Sequence, residues 1–245
     1  MDNQEREILE IDVLFVGAGP ASLAGAIHLS NLFKENQINA SIAIIEKAAE
    51  VGAHSLSGAV VDPISLNELF PDLKNEDFPF EFPVDKEYMY YLTKNNKMSV
   101  PYIPPQMSHH GCYITSIGKL TRWLEKKCEE RDIDIFAGFS GSELIYNDDE
   151  SKVLGIRTGD RGIDKDGNKK SNFEEGVDII AKLTLLGEGT RGSLTKKLIN
   201  KFNLMNGKNP QSWAIGVKEL WQLPDKRLPD GYVAHTLGFP LGHNL

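Results

Sequence analysis

The sequence predicts an α/β chain built on a Rossmann-like nucleotide-binding layer, and three observations carry that expectation. Ile11-Asp12-Val13-Leu14-Phe15-Val16 reads as a buried parallel strand and runs straight into Gly17-Ala18-Gly19-Pro20-Ala21-Ser22. An amphipathic helix follows, then a second strand over 41–45 that ends on Glu46. Much later, the apolar run over 179–186 meets another glycine-rich turn, Gly187-Glu188-Gly189-Thr190-Arg191-Gly192. Strand, glycine turn, helix, strand and terminal acid together form a dinucleotide-binding unit, which a bare glycine pattern would not.

Each position in the first turn has a physical role. Gly17 permits the tight exit from the strand, and Gly19, lacking a Cβ, lets a pyrophosphate approach the backbone. Pro20 suits a first helical turn, where its missing N–H is not needed. The amides of the turn, through Ala18, Ala21 and Ser22, and the helix dipole favour a phosphate there. Leu23, Ala26, Ile27, Ser30 and Phe33 share one arc that would pack on the sheet. Glu46, followed by Lys47, stands where a carboxylate can accept from a ribose diol. Ser22 replaces the usual third glycine, which bears on how tightly the helix packs and not on the ligand.

Composition narrows the function classes. The 245 residues, 40% hydrophobic, suffice for one large or two intimate domains. The net charge of -8 and the lack of a basic patch argue against nucleic-acid binding. No apolar run is long enough for a spanning helix. The acidic, polar start (Met1-Asp2-Asn3-Gln4-Glu5-Arg6-Glu7) resembles neither a signal nor a transit peptide, so a cytoplasmic setting is expected. Cys112 and Cys128 are too few for an iron–sulfur cluster or a structural zinc site by themselves.

Further along, Gly52-Ala53-His54-Ser55-Leu56-Ser57-Gly58-Ala59 reads as a loop allowing close backbone approach. Residues 63–111 are rich in proline and read as an insertion, with a hairpin of 88–93 and 97–100 around Lys94-Asn95-Asn96. His109-His110 has no evident carboxylate or third ligand, so a loop role is expected. Residues 117–131 form an amphipathic helix with Cys128 on its apolar arc, and 134–137 a third parallel strand. A second hairpin pairs 142–147 with 152–158, and the polar stretch 159–172 reads as a long turn. Ser193 is placed to cap the helix after the second glycine turn. Residues 213–221 and 232–239 read as strands of an antiparallel sheet. A parallel core interrupted by a small meander and closed by a glycine-rich strand end suits an FAD site better than an NAD site.

On these residues the chain resembles the electron transfer flavoprotein–ubiquinone oxidoreductase family. The stretches that carry the resemblance include Val16-Gly17-Ala18-Gly19-Pro20-Ala21, Glu46-Lys47-Ala48-Ala49, Gly52-Ala53-His54-Ser55-Leu56-Ser57-Gly58-Ala59, Gly187-Glu188-Gly189, Gly216-Val217-Lys218-Glu219-Leu220-Trp221 and His235-Thr236-Leu237-Gly238-Phe239-Pro240-Leu241. The block from Gly52 to Ala59 and the Lys218-Glu219-Leu220-Trp221 block are the specific ones; the glycine turns are shared by many flavoproteins.

The resemblance implies a Rossmann-like FAD-binding domain of the glutathione-reductase type with an inserted antiparallel sheet on the substrate or quinone side. It implies electron flow from reduced electron transfer flavoprotein through FAD and a [4Fe–4S] cluster to ubiquinone. It also implies peripheral contact with the cytoplasmic side of an inner membrane. It places Gly17, Ala18, Gly19, Pro20, Ala21 and Ser22 at the pyrophosphate and Glu46 at the adenosine ribose, and counts Lys47 among the cofactor-binding residues. His54, Ser57, Gly58 and Ala59 would line the isoalloxazine, and Glu188 and Gly189 the ribityl or pyrophosphate. No residue is assigned a catalytic role and none a metal. The implied division is 8–62 and 113–204 for the FAD-binding domain, 63–112 for the quinone-side insertion, and 205–245 for the start of its sheet. Family members carry cluster cysteines in a C-terminal domain, so the sequence reads as an N-terminal fragment. Residues 100–107, apolar and proline-stiffened, suit either a membrane- or quinone-facing segment or a packed loop. The competing expectations are a related FAD-dependent reductase or hydroxylase, and a non-catalytic nucleotide-binding module.

Overall fold

The computed structural model describes residues 6–56, 58–224, 227–240 and 242. Ser57, one of the expected flavin-lining residues, lies outside them. The chain forms two compact units, Met1–Ser55 with Thr121–Ile215, and Leu56–Leu120 with Gly216–Leu245. In chain order the strands and helices are β1 (Ile8–Val16), α1 (Pro20–Glu35), β2 (Ile42–Glu46), β3 (Ala59–Val61), α2 (Ile64–Leu69), β4 (Phe80–Pro83), β5 (Lys86–Leu92), β6 (Lys97–Val100) and β7 (Tyr113–Thr115). There follow α3 (Ile117–Glu129), β8 (Asp134–Ala137), β9 (Gly141–Tyr146), β10 (Val153–Thr158), β11 (Arg161–Ile163), β12 (Lys169–Glu174), β13 (Asp178–Leu186), α4 (Ser193–Lys201) and β14 (Tyr232–Gly238).

The first unit is built on a six-stranded sheet ordered β8-β2-β1-β13-β10-β9. Strands β8, β2, β1 and β13 run parallel, while β10 and β9 add an antiparallel hairpin at one edge. Parallel pairing explains the continuous apolar runs of β1 and β2: Leu14, Phe15, Val16, Ala43, Ile44 and Ile45 are all buried. The register sets Val16 opposite both Ile45 and Leu186, so β1, β2 and β13 end level with one another. Both glycine turns therefore emerge side by side. Helix α1 buries Leu23, Ala26 and Ile27 of the arc expected from the sequence, together with Ser22, while Ser30 and Phe33 are half-buried. Each such fully buried Leu or Ile contributes about 1.5–3 kcal/mol of apolar burial. Leu194 from α4 joins Leu14, Val16 and Ile45 in the core.

Cys128 is fully buried and its thiol donates to the Leu23 carbonyl at 3.8 Å. Burial pushes its pKa up to about 12, so it is a packing residue and not a nucleophile.

Four local expectations change. The polar stretch 159–172 is not a plain turn: it contains β11 and the start of β12, an antiparallel pair. Asp164 closes their connection by accepting from the amides of Asp166 and Asn168 at 2.9 and 2.8 Å. Strand β13 is buried only in its first half, and Leu183 is 54% exposed. Residues 213–221 form no strand, although Ile215, Val217, Leu220 and Trp221 carry the right residue types and stand exposed. A strand needs a neighbour for its amides, and no described residue pairs with this segment. Ser193 is the first residue of α4, with Gly192 at the cap position.

The second unit has two three-stranded sheets. The sheet β3-β7-β4 is antiparallel. In β14-β5-β6 the hairpin of β5 and β6 forms as expected, whereas β14 joins β5 in parallel, so this sheet is mixed and not purely antiparallel. The pairing is held on one face by Tyr232, whose hydroxyl meets that of Tyr90 at 3.1 Å.

Candidate functional site

A cleft of about 500 Å³ opens where β1, β2 and β13 end. That is where parallel α/β sheets bind ligands, because glycine turns and helix N-termini converge there. Gly17 has φ +100, and a Cβ on it would lie 2.6 Å from the Gly187 carbonyl oxygen. Backbone bonds anchor each turn to a neighbouring strand end: Gly17 N–H donates to the Ile45 carbonyl of β2 at 2.8 Å, and Gly187 N–H to the Val16 carbonyl of β1 at 2.9 Å. A Cβ on Gly19 would meet nothing within 4 Å, so the backbone there is bare toward the open space. Helix α1 begins at Pro20 with no side-chain cap and no acid in its first turn. Its positive dipole end is left to an incoming anion.

Glu46 is mostly buried, its side chain 12% exposed. Its Oε2 accepts the Ala18 N–H at 2.9 Å and its Oε1 the Ala48 N–H at 2.8 Å. Each oxygen keeps a second lone pair for an outside donor. The Ala18 amide, expected at the pyrophosphate, is thus engaged by Glu46. His54 is well exposed, with its Nδ1 4.0 Å from Glu46 Oε1.

Glu188 is oriented by α4. Its Oε1 accepts the amides of Ser193 and Leu194 at 3.0 and 3.1 Å, and its Oε2 the amide and hydroxyl of Thr195 at 2.7 and 2.8 Å. The cap expected from Ser193 is supplied by this carboxylate from five residues upstream.

Of the residues expected from the sequence, Gly17, Ala18, Gly19, Glu46, Lys47, His54, Glu188 and Gly189 line the cleft. Pro20, Ala21 and Ser22 form the first turn of α1 and are not part of the lining. Gly58 and Ala59 belong to the second unit, where Ala59 begins β3. Sequence reasoning missed Phe139, Ser140 and Gly141, which follow β8, and Arg191, whose guanidinium lies 5.5 Å from the Trp213 ring centre. Arg191 sits inside the second glycine turn and was open to notice as a cation beside a phosphate-binding turn. Residues 139–141 carried no such signal.

The second unit contains a polar cluster that no local pattern announces. His109 does have a carboxylate partner: its Nδ1 lies 2.5 Å from Glu87 Oε1, and its backbone amide donates to Glu87 Oε2 at 3.0 Å. His235 Nε2 lies 3.1 Å from the same Oε1. Burial works to raise the Glu87 pKa, but the bonds from His109 and His235 prevail and hold it at about 2. Among the described residues, no helix is long and apolar enough to cross a membrane.

No protein-family model matches the chain. Curated relatives do. A probable electron transfer flavoprotein–ubiquinone oxidoreductase of Acinetobacter baylyi is 46% identical over 241 residues, which is 97% of this chain and 42% of that protein. The mitochondrial electron transfer flavoprotein–ubiquinone oxidoreductases of Arabidopsis thaliana and Homo sapiens are 44% and 41% identical over 96% and 98% of this chain. The matches span 37% and 39% of those two proteins, so this chain corresponds to about two-fifths of the length of its curated relatives. Among solved structures, a geranylgeranyl bacteriochlorophyll reductase-like protein from Thermoplasma acidophilum matches 73% of this chain and 39% of its own, with TM-score 0.50 and 18% identity. A myxobacterial chondrochloren halogenase, described as a variant of FAD-dependent halogenases, matches 77% of this chain and 39% of its own, with TM-score 0.51 and 11% identity. These two likenesses concern the fold.

Proposed function

This chain is a relative of the electron transfer flavoprotein–ubiquinone oxidoreductases, and on that premise we propose that its cleft holds FAD. The reading continues that the chain forms the flavin-binding part of an enzyme carrying electrons from reduced electron transfer flavoprotein to ubiquinone. The observation that carries it is the paired glycine turns at the level ends of β1 and β13, with Glu46 closing the end of β2.

The residues present fit the group. Gly19 leaves room for a pyrophosphate against the backbone, the uncapped start of α1 offers amides and dipole to its charge, and Glu46 retains acceptor capacity for a ribose diol. Lys47 and Arg191 add cationic side chains at the rim. When bound, FAD supplies the electron-carrying chemistry, and the protein supplies position and electrostatics. No side chain is needed as nucleophile or general base. In this reading 8–62 and 113–204 hold the flavin, and 63–112 with 205–245 serve the quinone side. Gly58 and Ala59 approach the isoalloxazine, and residues 100–107, where Tyr102 is exposed, face the membrane or quinone. The [4Fe–4S] cluster belongs to sequence outside this chain, since Cys112 and Cys128 cannot supply four thiolates. Peripheral association with the inner membrane follows from the quinone substrate.

The test is titration of the purified chain with FAD, followed by flavin fluorescence and by circular dichroism for folding. Saturable 1:1 binding that weakens in Glu46→Ala supports the proposal. A folded chain that leaves FAD fluorescence unchanged overturns it.

A further inference from the structure

We propose that Glu87, His109 and His235, all in the second unit, form a binding site for a divalent transition ion of the zinc class. Three elements distant in sequence deliver the three groups. Glu87 projects from β5, His235 from β14, and His109 from the loop before β7. The parallel register sets His235 opposite Met89 and Val233 opposite Glu87, so Glu87 and His235 are diagonal neighbours on one face of the sheet. One ligand atom from each of Glu87, His109 and His235 lies within 4.8 Å of those of the other two.

The donor chemistry selects the ion. Two imidazoles and one carboxylate suit zinc and its neighbours, while magnesium and calcium take oxygen ligands. A tetrahedral zinc holds nitrogen and oxygen ligands at about 2.0–2.2 Å, which sets the ligand atoms roughly 3.3 Å apart. The present separations from Glu87 Oε1, 2.5 and 3.1 Å, need to open by less than about 1 Å. The arrangement is also pre-set. The two imidazole rings stack at 5.4 Å with 19° between their planes, and the His109 backbone amide holds the other carboxylate oxygen. Side-chain exposures of 12%, 29% and 19% for Glu87, His109 and His235 leave an approach for the ion and a further position for water.

The experiment uses the full chain and zinc chloride alone, in competition with a chromophoric chelator. One ion bound per chain is expected, with affinity falling about 10–100-fold or more in each of Glu87→Gln, His109→Ala and His235→Ala. His28→Asn, at an exposed position of α1, should leave the affinity unchanged. A second readout needs no variant: zinc should protect His109 and His235, but not His28, from acylation by diethyl pyrocarbonate, mapped by peptide mass spectrometry. Absence of 1:1 binding overturns the proposal. So does binding that survives all three substitutions, or zinc that fails to protect His109 and His235.

Discussion

Glu46 Oε2 accepts the backbone N–H of Ala18 at 2.9 Å, which ties the last residue of β2 to the glycine turn after β1. The contact gives Glu46 two tasks: it fixes the turn, and it stands ready for a ribose diol. A charge-assisted hydrogen bond contributes about 1.5–3 kcal/mol, so Glu46→Ala should raise the Kd for FAD by about 10–100-fold. Flavin fluorescence titration checks the figure. Because the Ala18 and Ala48 amides also lose their acceptor, the thermal midpoint of the ligand-free variant should fall as well. Unchanged affinity in a folded variant would remove Glu46 from the cofactor site.

Ser22 is accommodated by a glycine in the turn that follows β13. A Cβ added to Gly187 would sit 2.0 Å from Ser22 Oγ, and Ser22 is buried. The extra atom normally absent at the motif's third glycine therefore occupies space that Gly187 leaves free. Gly187→Ala should destabilise by about 1–3 kcal/mol through overpacking. In a Ser22→Gly background the cost should shrink by roughly 0.5 kcal/mol or more, a coupling that urea denaturation of the four variants measures. Strict additivity would show that the two positions do not compete for the same space. Gly155→Ala offers a contrast: its Cβ would lie 2.0 Å from the Ile179 backbone oxygen, where no side-chain change can relieve it.

These two relationships show how far local sequence pattern reaches. Strands β1 and β2, helix α1 and the hairpins β5–β6 and β9–β10 were legible because period, glycine and turn residues lie within a few positions of one another. Glu46 was legible for the same reason. The Glu87 cluster was not: its partners lie 22 and 148 residues away, and only the parallel docking of β14 on β5 unites them. Residues 213–221 show the converse. The β-branched and aromatic residues Trp213, Ile215, Val217 and Trp221 suit a strand, but strand formation depends on a partner edge that no local pattern encodes.

Glu188 separates capping from ligand binding. Its carboxylate satisfies three amides at the start of α4 together with the Thr195 hydroxyl. Glu188→Ala should cost about 0.5–2 kcal/mol of stability with no ligand present, as loss of an N-terminal cap does. Glu188→Gln keeps one acceptor oxygen but turns the other into an NH2 donor facing an amide N–H, so it should recover only part of the cap. Thermal melts of the ligand-free variants decide this. If both variants keep the parent's melting midpoint, the cap is not what holds Glu188 in place.

Asp12 predicts how the sheet responds to acid. Lys182 Nζ lies 2.6 Å from its Oδ1, while its Oδ2 accepts the Ser41 amide at 2.7 Å and the Ser41 hydroxyl at 3.1 Å. Asp12 thus links β1 to β13 on one side and to the entry of β2 on the other. The Lys182 bond first, then those from Ser41, lower its pKa from 3.8 to about 2. A carboxylate whose pKa is depressed by folding stabilises the native state fully above its unfolded pKa of roughly 3.9. That contribution disappears as pH falls through the folded value, because both states then bind the proton. Asp12→Asn carries no such proton. The urea midpoint of the parent should therefore exceed that of the variant by a constant margin from pH 7 to about 5, and the margin should narrow below about 4 and vanish near 2. A margin that stays constant down to pH 3 would show that Asp12 titrates alike in the folded and unfolded chain, and that its contacts with Lys182 and Ser41 do not hold it ionised.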